Sequence, residues 1–188
     1  MKTIINSSGI LHHLPVYAKT LLAAGLTFVS LCVTTVVAAQ QNNNLDDVFV
    51  SVLSELKQET QVPILLPEHL PSLRTHPVYA SASGNDDSYA IRLESDPDCD
   101  HANACFLGFF KAKRGVQTAF PDVVNIDKDI QGRFTASTCG GSCSSPTIQW
   151  NLNGVAYTVQ LNLPTGNQAK ARSLMIEVAR ESIIGGNR

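Results

Sequence analysis

The sequence predicts an α+β fold, in which an antiparallel sheet of about six strands packs one face against an N-terminal and a C-terminal helix. Three observations lead to this prediction. An apolar stripe with helical spacing precedes all the strand candidates, a β-hairpin pattern lies near the end of the chain, and a second helical pattern follows that hairpin. Strand patterns do not alternate with helical ones, so a parallel sheet built from βαβ units is not expected.

The hairpin is predicted for residues 147–163, TIQWNLNGVAYTVQLNL. Asn153-Gly154 separates two alternating segments, and this dipeptide favours a type I′ turn because both of its residues tolerate positive φ. A two-residue turn sets the register, so Trp150 is expected to face Tyr157 on the apolar, core side of the sheet. The other side carries polar or small residues, namely Gln149, Asn151, Ala156, Thr158, Gln160 and Asn162.

The two helices are predicted from the spacing of their apolar residues. In residues 45–60 these follow the i, i+3, i+4, i+7 template, with Asn44 as the expected N-cap. The polar face of this helix is acidic rather than lysine-rich, which favours packing on a sheet over lying on a membrane. Residues 167–184 give the second helix. Thr165 and Gln168 fit a capping box at its start, and two glycines follow its end.

A proline-rich segment, VPILLPEHLP at residues 62–71, follows the first helix. Its three prolines exclude a regular helix interior or a central strand. We expect an extended strap across the body of the domain, with Ile64, Leu65 and Leu66 buried. His69 is interpreted as a surface or hydrogen-bonded histidine rather than a catalytic one.

The middle of the chain supplies the remaining strand candidates. A second hairpin is expected from residues 77–83 and 88–94, followed by strands at 105–113, 123–126 and 130–137. Simple alternation in the 105–113 strand predicts that Phe106 and Phe110 point to one face and Leu107 and Phe109 to the other. Gly132 is expected to mark a bulge or a position of close packing.

The first 39 residues are interpreted as an export signal that is removed. Residues 20–39 contain no charged side chain, and Lys2 and Lys19 precede them. Small residues before position 40 predict cleavage after Ala39, which leaves residues 40–188 as a single domain in the periplasm or outside the cell. Because 20 uncharged residues approach the length of a membrane-spanning helix, the alternative is an inner-membrane anchor at residues 20–39.

The net charge of the chain argues against some classes of binding partner. The chain has 188 residues, with a formal charge of −2. Without the export signal, 12 basic residues stand against 16 acidic ones, a net charge of −4. This balance does not resemble the basic footprint of a nucleic-acid-binding protein, and membrane contact is expected only through the export signal. Lys111, Lys113 and Arg114 form a short basic cluster, which is interpreted as a solvated strand end.

Four cysteines follow the export signal: Cys99, Cys105, Cys139 and Cys143. An even number of cysteines in an exported chain predicts two disulfides rather than a metal site or a redox centre. Proximity along the chain favours pairing Cys99 with Cys105 and Cys139 with Cys143. Loop-closure entropy favours long-range bridges instead, at about 4 kcal/mol against about 2.4 kcal/mol for a seven-residue loop.

The loop around Asp96, Asp98 and Asp100 is the candidate metal site. Carboxylates at every second position can converge on Ca²⁺, which takes six to eight oxygen ligands. The loop departs from the EF-hand pattern, since His101 replaces the glycine and Leu107 the bidentate glutamate. The alternative is an acidic turn in which aspartates accept hydrogen bonds from their own backbone. Apart from calcium at this loop, no cofactor is expected.

No catalytic residue is predicted. The chain lacks a nucleophile elbow, a dinucleotide fingerprint, a phosphate-binding glycine loop and an HExxH helix. Four serines near the second cysteine pair have no recognisable spacing to a histidine. An enzyme is therefore less favoured than a binding protein. The alternative is a small envelope hydrolase that uses the carboxylates of the acidic loop.

Several segments together resemble a known group of proteins. The succession LPEHLP, SYAIRLESDPDCDHANACFLG, TCGGSC and IQWNLNGVAYTVQL, followed by a helix, resembles a family of uncharacterised exported bacterial proteins, mostly cyanobacterial, over nearly all of the mature chain. More distantly, the strap and the hairpin with Trp150, Gly154 and Tyr157 are similar to extracytoplasmic domains of unknown function found on some anti-sigma factors. Neither resemblance implies an activity or catalytic residues. We therefore expect a disulfide-stabilised envelope module that binds a protein or a small ligand.

Overall fold

The computed structural model describes residues 45–73, 77–99, 102–116, 123–140 and 143–188. Within these residues the chain forms an antiparallel sheet with one helix before it and one after it, so the predicted α+β class is confirmed. The sheet has seven strands, slightly more than the predicted six. No helix in the described ranges is long and apolar enough to cross a membrane. The alternative anchor at residues 20–39 lies outside those ranges.

The elements follow one another in chain order. They are α1 (Leu45–Glu59), β1 (Tyr79–Asn85), β2 (Ser88–Glu94), a 3₁₀ turn (Asn103–Cys105), β3 (Phe106–Arg114), β4 (Val123–Asp127), β5 (Ile130–Thr135), β6 (Thr138–Cys139), β7 (Cys143–Ser144), β8 (Thr147–Leu152), β9 (Val155–Leu161) and α2 (Gln168–Gly185).

The order of strands across the main sheet is β1-β2-β3-β9-β8-β5-β4. The C-terminal hairpin β8–β9 thus lies at the centre of the sheet, inserted between β3 and β5, and every pair in the sheet is antiparallel. Among the described residues, the short strands β6 and β7 pair with each other and with no other strand, and they form a separate two-stranded ribbon.

The central hairpin has the predicted turn and register. Asn153 and Gly154 both have positive φ, 49° and 77°, as a type I′ turn requires. Trp150 pairs with Tyr157, and their rings stack with centroids 5.4 Å apart and planes 13° apart. Both side chains are buried, which confirms that the aromatic pair belongs to the core.

Strand β3 departs from simple alternation because it carries a bulge. The register between β2 and β3 shifts at Leu93/Glu94, so that Phe106 lies opposite Glu94 while Phe109 lies opposite Arg92. An extra residue in one strand reverses the side-chain direction beyond it. The prediction that Phe106 shares a face with Phe110 is therefore wrong. Phe106 contacts Phe109, with ring centroids 6.1 Å apart, whereas Phe110 is buried.

Both helices pack on the same face of the sheet, as predicted. From α1, the ring of Phe49 meets that of Phe110 edge-on at 5.7 Å, and α1 lies mainly against β1. Helix α2 covers the other half of the sheet, against β4, β5, β8 and β9. Its core side chains are Ala171, Met175, Val178 and Ala179. Apolar burial between the helices and the sheet is the main source of stability in such a layered domain.

The strap is extended and buried as predicted. Ile64, Leu65 and Leu66 are at most 5% exposed. The backbone N–H of Leu65 donates to the hydroxyl of Tyr89 at 3.2 Å, and the hydroxyl of Tyr157 donates to the carbonyl of Pro63 at 3.2 Å. Two core tyrosines of the sheet therefore satisfy polar backbone groups of a segment whose prolines prevent it from joining the sheet.

The start of α2 differs from the predicted capping box. The N-cap is Asn167, whose side-chain oxygen accepts from the backbone N–H of Lys170 at 3.1 Å. Thr165 lies two residues earlier, and its hydroxyl accepts from the backbone N–H of Asn167 at 3.1 Å. The helix ends at Gly185, and Gly186 has φ 67°, as the two glycines predicted. The expected N-cap of α1, Asn44, lies outside the described residues.

Gly132 marks close packing rather than a bulge. A Cβ added there would collide with the carbonyl oxygen of Gln149 and come within 2.6 Å of Cδ1 of Ile126. Its cross-strand partner is Trp150, and the absence of a side chain lets the backbone of β8 and the side chain of Ile126 approach closely. The bulge in this part of the sheet lies instead in β4, between Asn125 and Asp127.

A candidate binding groove on the polar face of the sheet

The face of the sheet opposite α1 and α2, here called the polar face, is defined by the strand registers. Lys111 of β3 lies between Ala90 of β2 and Thr158 of β9. Two residues further along β3, Lys113 lies between Ser88 and Ala156. Each lysine is thus flanked on both sides by small side chains, which leaves space beside it.

This space is a groove that runs over β1, β2, β3, β9 and β8, here called the polar-face groove. It consists of two adjoining cavities of 480 Å³ and 360 Å³, which share Ser83, Ala90 and Lys111. Most of the groove walls are formed by small or polar side chains on alternate strand positions. These volumes lie in the range of small-molecule binding sites in proteins.

The charge of the groove is positive. Its lining includes Arg92, Lys111 and Lys113 and contains no aspartate or glutamate. Lys113 and Lys111 are exposed and lie roughly 7 Å apart along the strand, as alternate residues do. No carboxylate of the described residues forms an ion pair with either lysine. Two ammonium groups that have no carboxylate partner among the described residues therefore face the same groove.

Two of the three basic side chains of the groove make cation–π contacts with aromatic rings. The ammonium of Lys111 lies 4.2 Å from the ring centroid of Phe109, and the guanidinium of Arg92 lies 4.9 Å from that of Phe106. The Nε of Arg92 also bonds to the buried carboxylate of Glu94 at 2.8 Å. Cation–π contact orients a long side chain without neutralising it. Lys111 thus keeps its charge for a ligand, whereas Arg92 is paired.

Uncharged hydrogen-bonding groups line the groove on β8 and β9. The amide of Gln149 donates to the hydroxyl of Thr158 at 3.3 Å. Gln149 and Thr158 line the groove. Such side chains offer both donors and acceptors to hydroxyl groups of a ligand.

The basic cluster of Lys111, Lys113 and Arg114 is visible in the sequence, where it is interpreted as one solvated strand end. In the structure all three are exposed, and only Lys111 and Lys113 of the three line the polar-face groove. Arg114 lies apart from the groove and bonds the carbonyl of Gln61 at 2.9 Å and the carboxylate of Asp87 at 3.6 Å. The signal that could have identified the site is the polar-face series Phe109, Lys111 and Lys113, at every second position of one strand.

The acidic loop is only partly described. Asp96 accepts a hydrogen bond from the backbone N–H of Asp98 at 2.9 Å, which is the turn geometry given above as the alternative to a metal site. Asp100 and His101 lie outside the described residues. In the described ranges, no group of three or more histidine, cysteine, aspartate or glutamate side chains is arranged to hold a metal ion. Calcium binding at this loop stays a prediction.

Both disulfides are local. Cys99 is bonded to Cys105, and Cys139 to Cys143. The first closes residues 99–105, immediately before β3, and the second joins directly opposite residues of the β6–β7 ribbon. The amide of Gln168, at the start of α2, donates to the carbonyl and the hydroxyl of Ser137 beside that ribbon, at 3.2 Å and 2.9 Å. The pairing is the one that proximity along the chain favoured.

His69 also has a defined environment. It is exposed, and its backbone N–H donates to the carboxylate of Glu181 at 3.1 Å. It lines a cavity of 170 Å³ together with Glu177 and Glu181. This cavity is smaller than either part of the polar-face groove.

No protein family profile, curated protein or solved structure matches this chain. Its class therefore rests on its own geometry. The described residues define a two-layer α+β domain with two local disulfides and a cationic groove on the face of the sheet that the helices leave uncovered.

Proposed function

We propose that this protein is an exported binding module that holds an anionic, hydroxyl-bearing ligand in the polar-face groove. The observation that carries this proposal is the charge of the groove, whose lining has Lys111 and Lys113, which no carboxylate of the described residues pairs with, besides the ion-paired Arg92, and no acidic side chain. The mature part of the chain is acidic overall, at −4. A cationic groove on an acidic protein concentrates an anionic ligand at one place on the surface.

The chemistry of the groove favours an acidic oligosaccharide over an extended peptide. A peptide in extended form satisfies its own backbone best by adding to the edge of a sheet. A ligand on the face meets side chains only, and here these are ammonium, hydroxyl and amide groups. Carboxylates spaced along a hydroxyl-rich chain match both kinds of group. Lys111 and Lys113 would bind the carboxylates, while Ser83, Ser88 and Gln149 would bind hydroxyls.

Export is supported by two independent features. Residues 20–39 have the composition of an export signal, and both local disulfides are of the kind that persists in an oxidising compartment. We expect the full chain, expressed in a bacterial host, to accumulate in the periplasm or the medium with Gln40 as its first residue. Cell fractionation and N-terminal sequencing test this. Recovery in the cytoplasm with Met1 retained would contradict it.

Ligand binding is tested by isothermal titration calorimetry with trigalacturonate, the neutral trisaccharide maltotriose and triglutamate as probes. Trigalacturonate is expected to bind, with an affinity that falls as salt is raised, because the main contacts are ionic. Replacing both groove lysines, as Lys111→Gln and Lys113→Gln, is expected to weaken binding at least about tenfold, since two charge-assisted hydrogen bonds are lost.

The matched control replaces two exposed lysines of the helices, as Lys57→Gln and Lys170→Gln, which changes the net charge equally. Control affinity is expected to stay close to that of the unmodified protein. Equal loss in both double variants would show a general charge effect and contradict the assignment of the groove. Binding of maltotriose or triglutamate as tight as that of trigalacturonate would contradict the ligand class.

A further inference from the structure

The two outer strands of the main sheet, β1 and β4, differ in how their free edges are protected. An outer strand presents a row of unpaired backbone groups, and proteins commonly protect it with charges, prolines, bulges or a covering element. On β4, the register is broken between Asn125 and Asp127, the strand ends in a charged residue, and Nε of Arg180 donates to the carbonyl of the unpaired Ile126 at 2.9 Å. Strand β4 is therefore protected.

Strand β1 has no charge, proline or bulge, and of the described residues of α1, the helix that lies against it, only Glu59 bonds to its free edge. Its seven residues, YASASGN, pair one to one with β2 without a bulge, and none of them is charged or proline. Because Asn85 and Ser88 close a two-residue turn, the residues bonded to β2 are Asn85, Ser83, Ser81 and Tyr79. The backbone groups of Ala80, Ala82 and Gly84 point away from the sheet.

The structure shows one protected position on this edge. The N–H of Gly84 donates to the carboxylate of Glu59, from the end of α1, at 2.7 Å. In the described ranges, no hydrogen bond to this edge involves the backbone of Ala80 or Ala82. The unprotected part of the edge is thus centred on Ser81, which lies between them and points its side chain to the polar face.

We propose that two copies of this chain pair through β1, antiparallel, about a two-fold axis at Ser81. In this register Ala80 lies opposite the partner's Ala82 and Ala82 opposite the partner's Ala80, and the two pairs exchange four N–H···O bonds. Ser81 then faces the partner's Ser81 at a non-hydrogen-bonded position, where Cα atoms are about 4.5 Å apart. The Glu59 bond to Gly84 lies outside the paired stretch and is kept.

A second copy fits this edge better than a foreign strand. A two-fold contact uses the same patch on both chains, so it covers the unprotected edge of each at once. The strand carries no charge, so self-pairing brings no like charges into opposition. Ser81 and Ser83 also line the polar-face groove. Pairing would bring the grooves of two copies side by side, and if the proposed ligand is a polymer, both could bind one molecule of it.

Cysteine cross-linking tests the register directly. In a Cys32→Ser background, where the other cysteines are paired, Ser81→Cys is expected to form a disulfide-linked dimer under mild oxidation, detected on a non-reducing gel. The matched control is Ser83→Cys, two residues along the same strand and more exposed, which lies opposite the partner's Tyr79 in this register. It is expected to cross-link at least about tenfold more slowly, since its partner sulfur lies out of reach.

A second variant removes the pairing without removing the fold. Ala82→Pro deletes an outward N–H and leaves every hydrogen bond to β2 in place, which outer strands tolerate. We expect near-ultraviolet circular dichroism to be unchanged, the concentration-dependent dimer in sedimentation velocity to disappear, and Ser81→Cys to lose its cross-link. A protein that is monomeric up to about 500 µM, well above the micromolar dissociation constants at the weak end of specific interfaces, overturns the proposal and leaves the edge available to a strand of another protein. Equal cross-linking of the two cysteine variants overturns it as well.

Discussion

The hydroxyl of Tyr89 accepts a hydrogen bond from the backbone N–H of Leu65 at 3.2 Å, in the buried layer between the strap and the sheet. Tyr89 is 3% exposed and Leu65 is 5% exposed, so no bulk water can replace this bond. A polar backbone group of the strap therefore depends on one side chain of the sheet.

Replacing Tyr89 by phenylalanine tests this dependence. The Tyr89→Phe variant keeps the ring and leaves a buried N–H without its acceptor, which costs about 1–3 kcal/mol of the free energy of unfolding. Urea denaturation followed by tryptophan fluorescence measures the change, since the single tryptophan, Trp150, is buried in the core. The control is Tyr79→Phe, whose ring is 38% exposed. Equal effects of the two variants would show that the bond to Leu65 contributes nothing.

The stability of the protein is expected to fall in alkaline solution. Burial raises the pKa of Tyr157 to about 12, and burial likewise raises the pKa of Tyr89 above its usual value near 10. Below pH 10 both tyrosines are protonated in the folded and the unfolded chain, so their contribution is fully present. Above pH 10 the unfolded chain releases these protons while the folded chain retains them, and stability is lost as the pH rises toward 12.

The pH dependence can be assigned to single residues. Each buried tyrosine is expected to contribute up to about 1.4 kcal/mol of lost stability per pH unit in this window. The Tyr157→Phe variant should therefore show a shallower decline than the unmodified protein in urea denaturation at pH 9, 10, 10.5 and 11. Tyr79→Phe, at an exposed position, should keep the original slope. A slope unchanged by Tyr157→Phe would mean that this tyrosine ionises in the folded state as easily as in the unfolded one.

Gly132 is expected to be intolerant of a side chain. In the Gly132→Ala variant the new methyl group would collide with the carbonyl of Gln149 and meet Ile126 at 2.6 Å, with Trp150 across the strand pair. Overpacking of this kind costs about 1–3 kcal/mol. Thermal or urea denaturation measures it. Gly166→Ala is the control, because nothing lies within 4 Å of its added Cβ and its φ is not positive. A Gly132 variant as stable as this control would contradict the packing.

The two disulfides are expected to differ in their rates of reduction. Cys139 and Cys143 are both exposed, whereas Cys99 and Cys105 are half-buried. A reductant that needs access to sulfur should open the Cys139–Cys143 bond first. Timed reduction under native conditions, followed by alkylation and peptide mass spectrometry, measures the order. The same reaction in 8 M urea is the control, where the rates should converge. Faster opening of Cys99–Cys105 in the native protein would contradict the expectation.

Reducing that first bond is expected to leave the main sheet folded. Strands β6 and β7 pair only with each other, so the ribbon they form supports no other strand. The loop closed by Cys139 and Cys143 is short, and its loss should cost about 2 kcal/mol. Near-ultraviolet circular dichroism of the selectively reduced protein checks this, and a loss of the aromatic signal would show that the ribbon stabilises the core.

Local features of the fold follow from the sequence because neighbouring residues decide them. The Asn153-Gly154 turn determines the register that brings Trp150 to Tyr157, since only residues that tolerate positive φ fit a type I′ turn. Apolar spacing determines both helices, and the prolines of residues 62–71 determine an extended strap. Such patterns involve only a few neighbouring residues, so they can be interpreted without knowing which distant segments pack against them.

Other features depend on contacts between distant segments. The insertion of β8–β9 between β3 and β5 depends on pairing with strands that are distant in the sequence, and no local pattern encodes it. The bulge opposite Leu93 turns Phe106 to the face of Phe109, and alternation alone predicts the reverse. Several side chains near the start of α2 could serve as its N-cap, and the local sequence predicts Thr165. In the packed helix the N-cap is Asn167.

By itself, then, the sequence determined the α+β class, the central hairpin, the two helices and the buried strap, whereas it left open whether the cysteine pairs are local or long-range. Only the tertiary structure decided that Lys111 and Lys113 share a groove with small neighbours on both sides, and that Ala80 and Ala82 lie on an unprotected edge. The physical reason is that a groove and an edge are properties of strand order. Strand order depends on the apolar burial of the whole core. No single segment contributes enough of that burial for strand order to be predicted from it alone.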